Sequence, residues 1–220
     1  MSGLEVFGLV VNIISVAETI IQVYDAIKDL HGLPEAFHEV NKRLPLVEHT
    51  LRDVKSQTKK ITSAEEANAL STLLKSCQQK ITELQTIFNE IAKNSKDNFV
   101  VSVYKSLLAK LGKKGRVETL MDGILKDLGI LVVHHVFQTS TQKHVEELDK
   151  ARKELAKVPQ SLPDSEFDDN GGNATQIGGR DQHNIWGDNA KTIYGNNFDA
   201  GRDQNFGMIP STDGKKTGET

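Results

Sequence analysis

The 220-residue chain has one cysteine, one tryptophan and five prolines, and aromatic residues make up only 5% of it. A single thiol, Cys77, excludes an internal disulfide and suits a reducing compartment. Its neighbours Leu73, Leu74 and Ile81 mark it as a small buried side chain rather than a reactive one. A net charge of −3 lacks the basic footprint of a general nucleic-acid binder, so no nucleic-acid partner is expected. Catalytic and cofactor signatures are also missing. Gly112-Lys113-Lys114-Gly115 lacks the further glycine, the strand and the Ser/Thr of a P-loop. Gly178-Gly179-Arg180-Asp181 follows no strand–helix unit. The adjacent His134 and His135 point to different sides of a helix, and His144 adds no ligand spacing, so all three are expected to be ordinary helix histidines. The expectation is a protein that is not an enzyme, with no cofactor and no metal.

What is there divides into two kinds of polymer. Residues 158–220 hold ten of the seventeen glycines and the only Trp, with ten acidic and five basic side chains. Of the 30 acidic and 27 basic residues in the chain, that leaves twenty and twenty-two in residues 1–157, which are nearly neutral. In this first part apolar residues recur every three or four positions, the helical period. Residues 4–30 form the first helix. The His31-Gly32-Leu33-Pro34 stretch stops it, with a proline placed for the next start. Phe37, Val40, Leu44, Val47, Leu51 and Val54 line a second helix over 35–60, which Pro45 is expected to kink. Ser63 caps a third, with Glu66 three residues on. Residues 99–111 form a fourth, ending at Gly112, and residues 117–158 a fifth, in which Gly129 marks a bend or close packing. The fold class is all-α, a helical bundle over 1–157.

The first helix is unusually apolar over 4–24. Its polar residues, Glu5, Asn12, Ser15, Glu18, Thr19, Gln22 and Asp25, fall near a 3.5-residue repeat, one narrow stripe on a greasy cylinder. Glu5 in place of a basic start, and no small-residue cleavage site, argue against a secretory signal. The pattern reads as a helix largely buried in a bundle. Lys105, Lys110, Lys113, Lys114 and Arg116 form a basic cluster, either a solvated loop or a contact for anionic lipid heads.

Residues 158–172, with two prolines and a run of acids, read as a linker. Beyond it the helical period vanishes, and low hydrophobicity predicts disorder in the monomer. The tail nevertheless repeats itself. Gly179-Arg180-Asp181-Gln182 returns as Gly201-Arg202-Asp203-Gln204, and Ile185-Trp186-Gly187-Asp188-Asn189 as Ile193-Tyr194-Gly195-Asn196-Asn197. Apolar residues between Gly or Asn turns suit a stacked β-solenoid, in which each repeat buries its apolar side only against another repeat or another chain. Ile177, Ile185, Trp186, Ile193, Tyr194, Phe198 and Phe206 would form its dry interior, with Arg180 paired to Asp203 and Arg202 to Asp181.

The start Phe7-Gly8-Leu9-Val10-Val11-Asn12-Ile13-Ile14-Ser15-Val16, followed by helices, resembles the SesA family of fungal N-terminal domains, grouped with the HeLo-like domains of STAND (NOD-like) receptors and cell-death effectors. Residues 173–207 resemble the σ prion motif of the same systems, a distant analogue of the HET-s amyloid repeat. The resemblance implies a fungal cell-death or heterokaryon-incompatibility effector, cytoplasmic at rest. A NACHT receptor with a matching motif would present an amyloid template, and the tail would convert and self-assemble on it. The clustered bundles would then attack the plasma membrane, with residues 208–220 as a free end. The membrane element implied is the first helix, through Leu4, Phe7, Leu9, Val10, Val11, Ile13, Ile14, Ile20 and Ile21. The other reading is a helical adaptor recruited to a STAND receptor through its tail, without lysis.

Overall fold

The computed structural model describes residues 3–94, 100–134, 136 and 142–170, together with the backbone of 181–183 and 192–194. The chain divides into two units, Met1–Asn170 and Gly171–Thr220. Six α-helices stand among the described residues of the first: α1 (Gly3–Ile27), α2 (Glu35–Gln57), α3 (Ala64–Asn94), α4 (Val100–Leu111), α5 (Val117–Val132) and α6 (Gln142–Leu155). The all-helical reading of this part holds.

Local chemistry sets most of the ends. The Ser63 hydroxyl accepts the Glu66 amide at 3.1 Å, the expected cap of α3. Gly112 closes α4 at φ +70°, a left-handed position that favours glycine, with its amide on the Leu108 carbonyl. Pro45 does not interrupt α2. It lies on the exposed face, where the Asn41 carbonyl left without its amide can be hydrated.

Two expectations need correction. The single helix over 117–158 is two helices: α5 ends at Val132 and α6 begins at Gln142. The run Val132-Val133-His134-His135-Val136 consists of β-branched and imidazole side chains, which lose rotamer freedom in a helix and hold one weakly. Gly129 marks no close packing, since a Cβ there would meet nothing within 4 Å. The tight glycine of α5 is Gly123, where a Cβ would lie 2.8 Å from the Lys80 side chain. That side chain crosses Gly123 to reach Asp127 at 2.7 Å, joining α3 to α5.

Helices α1 and α5 do not face one another; α2 and α3 pack against both, and α6 lies on α5 and α2. The buried core is continuous from Val6 of α1 to Leu155 of α6 and Leu162 beyond it. Four of the few aromatics meet in it. Phe37 lies 5.0 Å from Phe88 and 5.1 Å, edge to face, from Tyr104, and Tyr24 tilts against Phe88. Cys77 is buried as expected, and burial pushes its thiol up to about 12.

Helix α6 is held by polar contacts as much as by Leu148, Ala151 and Leu155. The buried Arg43 donates to the Ala151 carbonyl at 3.1 Å and to Glu39 at 2.6 Å, and Arg152 donates to Asp122 of α5 at 2.9 Å. In the second unit, strands β1 (Asp181–His183) and β2 (Thr192–Tyr194) pair antiparallel with Gln182 opposite Ile193.

Tyr104 tests the packing. Its buried hydroxyl accepts the Val117 amide at 3.1 Å and meets Ser161 Oγ at 2.7 Å. Tyr104→Phe leaves a buried amide without a partner, so we expect a loss of about 1–3 kcal/mol in chemical denaturation with the helical spectrum unchanged.

Candidate functional site: the first helix and the strap

Helix α1 is long and apolar enough to cross a membrane by length and composition, yet it is also a core helix. Of the residues expected to meet lipid, Val10, Ile13, Ile14 and Ile20 are buried, Leu9 and Ile21 are half-buried, and Leu4, Phe7 and Val11 are exposed. The helix therefore turns most of its apolar surface inward, against α3 and α2. Ile14 belongs to that inner face, whereas Val11 lies on the outer one. The side chains exposed at its start are apolar: Leu4 is 79% exposed, Phe7 and Val11 each 37%. Gly3, Leu4 and Phe7 share an open depression with Thr58, Lys59 and Ile61, and Lys55 Nζ stands 5.3 Å from the Phe7 ring. An apolar tip with Lys55 and Lys59 beside it, and Glu5 in the same turn, has the mixed character of a headgroup boundary.

The polar stripe faces outward and is stitched to its neighbours. Glu18 accepts from Arg52 of α2 at 2.8 Å, and Asn12 from Gln78 of α3 at 2.9 Å. Both groups of the Glu18–Arg52 pair are about half exposed, so the pair adds little to stability. Burial is the larger effect. Val6, Val10, Ile13, Ile14, Ile20, Tyr24 and Ile27 are each removed from water, and at about 1.5–3 kcal/mol per large apolar side chain the gross contribution is on the order of 10–20 kcal/mol. Conformational entropy offsets much of this gross figure, but exposing the same face to water would forfeit it, so an apolar phase is the environment in which α1 could leave the bundle at least cost.

The second feature lies in the segment expected to be a linker. Residues 158–167 form a strap across α4 and the start of α5. Leu162 is buried, and Ser161 meets Tyr104 through its hydroxyl and donates its amide to Glu118 at 3.1 Å. The acids of the strap lie on the basic cluster: Asp164 pairs with Arg116 and with Lys113 at 3.6 Å, and Glu166 pairs with Lys105 at 2.8 Å. The Phe167 ring lies under Arg116, 4.8 Å away. Three of the five basic side chains are thus engaged by acids from the strap, and the cluster is neither a bare loop nor an open lipid contact. The alternation of acids with Leu162 and Phe167 was the available signal, because a free linker has no use for apolar anchors.

Among the tail residues expected to form an amyloid core, Asp181 and Gln182 lie in β1, and Ile193 and Tyr194 in β2. Ile177, Gly179, Arg180, Ile185, Trp186, Phe198, Gly201, Arg202, Asp203, Gln204 and Phe206 lie outside the described residues. His144 is buried, with Nε2 2.6 Å from Asp53 of α2, a partner 91 positions away that helical spacing cannot reveal.

Comparison with known proteins supplies one match. The model of the SesA family, described as the N-terminal domain on NACHT NTPase and P-loop NTPases, matches residues 10–131, from the second turn of α1 to the end of α5. No curated protein and no solved structure matches the chain.

The strap carries a pH dependence whose sign is set by Asp164. The hydrogen bond from Arg116 holds its carboxyl below the ordinary value of 3.8. A depressed carboxylate stabilises above its unfolded value and loses that effect as pH falls through the lowered folded value. Protection factors of residues 158–167, corrected for the intrinsic pH dependence of amide exchange, should therefore hold from neutral pH down to about 4 and fall only below it. At neutral pH, Asp164→Asn with Glu166→Gln should free the same amides while α1, α3 and α5 keep their protection.

Proposed function

The chain belongs to the SesA family, the N-terminal domain on NACHT NTPase and P-loop NTPases, and from this we propose that it is a non-enzymatic signalling effector, activated by amyloid templating and acting by membrane disruption. A fungal NOD-like receptor of the NACHT/STAND class, carrying a motif that matches residues 173–207, presents the template. The tail converts on it, so that repeat-equivalent residues such as Gly179 and Gly201 stack, a pairing different from the β1–β2 ladder. Cross-β stacking pairs every backbone amide with a neighbour and so brings many bundles to one place.

The observation that carries the effector step is the double nature of α1. It is the main apolar wall of the bundle and also 25 residues of mean hydropathy high enough to span a bilayer, with Leu4, Phe7 and Val11 already on the outside. A membrane is the phase that can receive the face α1 takes from α3. The strap offers a route between the two steps, since it precedes the tail directly in the chain and its acids engage Lys105, Lys113 and Arg116. Tail assembly pulls on Asp164 and Glu166 and uncovers those cations beside an anionic membrane. In this reading the protein is cytoplasmic at rest and reaches the plasma membrane after activation.

The second reading, a non-lytic adaptor recruited through its tail, draws on the depth of the α1 packing and on the Glu18–Arg52 pair, which must break before insertion. The two readings separate in one experiment. Full-length protein is seeded with its own fibrils beside phosphatidylserine vesicles loaded with dye. The effector reading expects thioflavin growth, a strand reflection near ~4.7 Å and dye release. Ile193→Asp or Gly179→Pro should abolish all three. Leu4→Asp with Val11→Asp, both at exposed positions, should leave assembly intact and reduce release at least ~10-fold, a change of about 1.4 kcal/mol in the barrier. Assembly without release in the wild type would establish the adaptor, and no seeded assembly at all would end the templating reading.

A further inference from the structure

Two helices far apart in the chain bring three metal-ligand groups together on a face unrelated to α1 or the strap. His49 and Asp53 stand four residues apart on α2, so they share one side of it. His144 comes from the first turn of α6. The ligand atoms of the three lie within 4.8 Å of one another. His144 Nε2 is 2.6 Å from Asp53 Oδ2, and the His49 and His144 rings are tilted at 60° with centroids 5.0 Å apart.

A second observation points to a ligand. The His144 side chain is only 4% exposed, and its Nδ1 has no hydrogen-bond partner among the described residues. Glu147 Oε2 stands 3.6 Å from it. A neutral imidazole that donates Nε2–H to Asp53 leaves the Nδ1 lone pair buried and unused. The opposite tautomer resolves this: Nε2 becomes a ligand, and Nδ1–H points at the Glu147 carboxylate. An imidazole that binds a metal through one nitrogen and donates the other to a carboxylate is the ordinary support for a histidine ligand.

We infer that His49, Asp53 and His144 form a Zn²⁺ site that clamps α6 to α2, with Glu147 orienting His144. Two imidazoles and one carboxylate suit a borderline divalent ion rather than Mg²⁺ or Ca²⁺, which favour sets made of oxygen. Ligand atoms on a tetrahedron with bonds of about 2.0 Å lie about 3.3 Å apart. The exposed His49 ring and the half-buried Asp53 carboxylate close to that spacing by side-chain rotation, whereas His144 is already fixed by burial. Three protein ligands leave a fourth position for water or another donor. The site does not depend on the effector reading. His144 lies beyond the residues matched by the family, 10–131.

The test uses chelator-treated full-length protein. Titration calorimetry with ZnCl₂ should show one ion per chain, accompanied by a rise in Tm by mass action, and Mg²⁺ should give neither. His49→Ala removes an exposed side chain that is a direct ligand, so the fold is kept while affinity falls by more than the ~10–100-fold that loss of a supporting partner costs. Asp53→Asn should do the same, and Glu147→Gln should give a smaller loss. His31→Ala, in the exposed turn after α1, should bind as the wild type does. X-ray absorption should report N/O ligands near ~2.0–2.1 Å. Absence of one-to-one binding, or wild-type affinity in folded His49→Ala, overturns the site and leaves His144 as a hydrogen-bonded latch on Asp53.

Discussion

The first unit depends on one contact, the apolar face of α1 against α3 and α2. Val10, Ile13, Ile20 and Ile27 are wholly removed from water there, and α2 and α3 in turn hold α5. Without α1, both intermediate helices would expose the walls that now face it. Solvent-exposed polar contacts such as Glu18 with Arg52 set register along this interface rather than its strength. The same apolar face makes α1 a candidate for lipid, because the hydrophobic effect is non-directional and is met equally by a core or by acyl chains.

The strap, by contrast, packs on α4 and the start of α5. Its anchors are of two kinds. Leu162 and the Tyr104–Ser161 contact are buried in the first unit, while Asp164 and Glu166 are exposed partners of basic side chains. The Lys105–Glu166 and Lys113–Asp164 pairs are exposed on both sides and so weak and sensitive to salt, whereas Asp164 also pairs with the buried Arg116, which makes it the firmer of the two acidic anchors. The acids thereby do two jobs in one segment, holding the strap down and neutralising three side chains of the basic cluster.

Much of this was readable in the sequence, for reasons that are local. The cap at Ser63, the left-handed stop at Gly112 and the polar stripe of α1 each depend on residues within one or two turns, so spacing reveals them. What spacing could not show depends on contacts between distant segments. Ile14 follows the apolar run as readily as Val11 does, and only the placement of α3 decides which of the two is covered. The break between α5 and α6 was masked because Val133 and Val136 continue an apolar pattern although the run holds a helix poorly. Gly123 looked no different from Gly129 until Lys80 was seen to lie across it. His144 had no ligand spacing along the chain because its partners, His49 and Asp53, sit on α2.

The claim that α1 serves as core at rest and as effector on activation is tested most directly by hydrogen exchange along α1 in the full-length protein, before and after seeding in the presence of anionic vesicles. The account predicts that amides of α1 and of the α3 face covering it are protected together at rest. After seeding, α1 should stay protected by lipid while that α3 face becomes exchangeable. Vesicle leakage with the α1–α3 protection unchanged would contradict it.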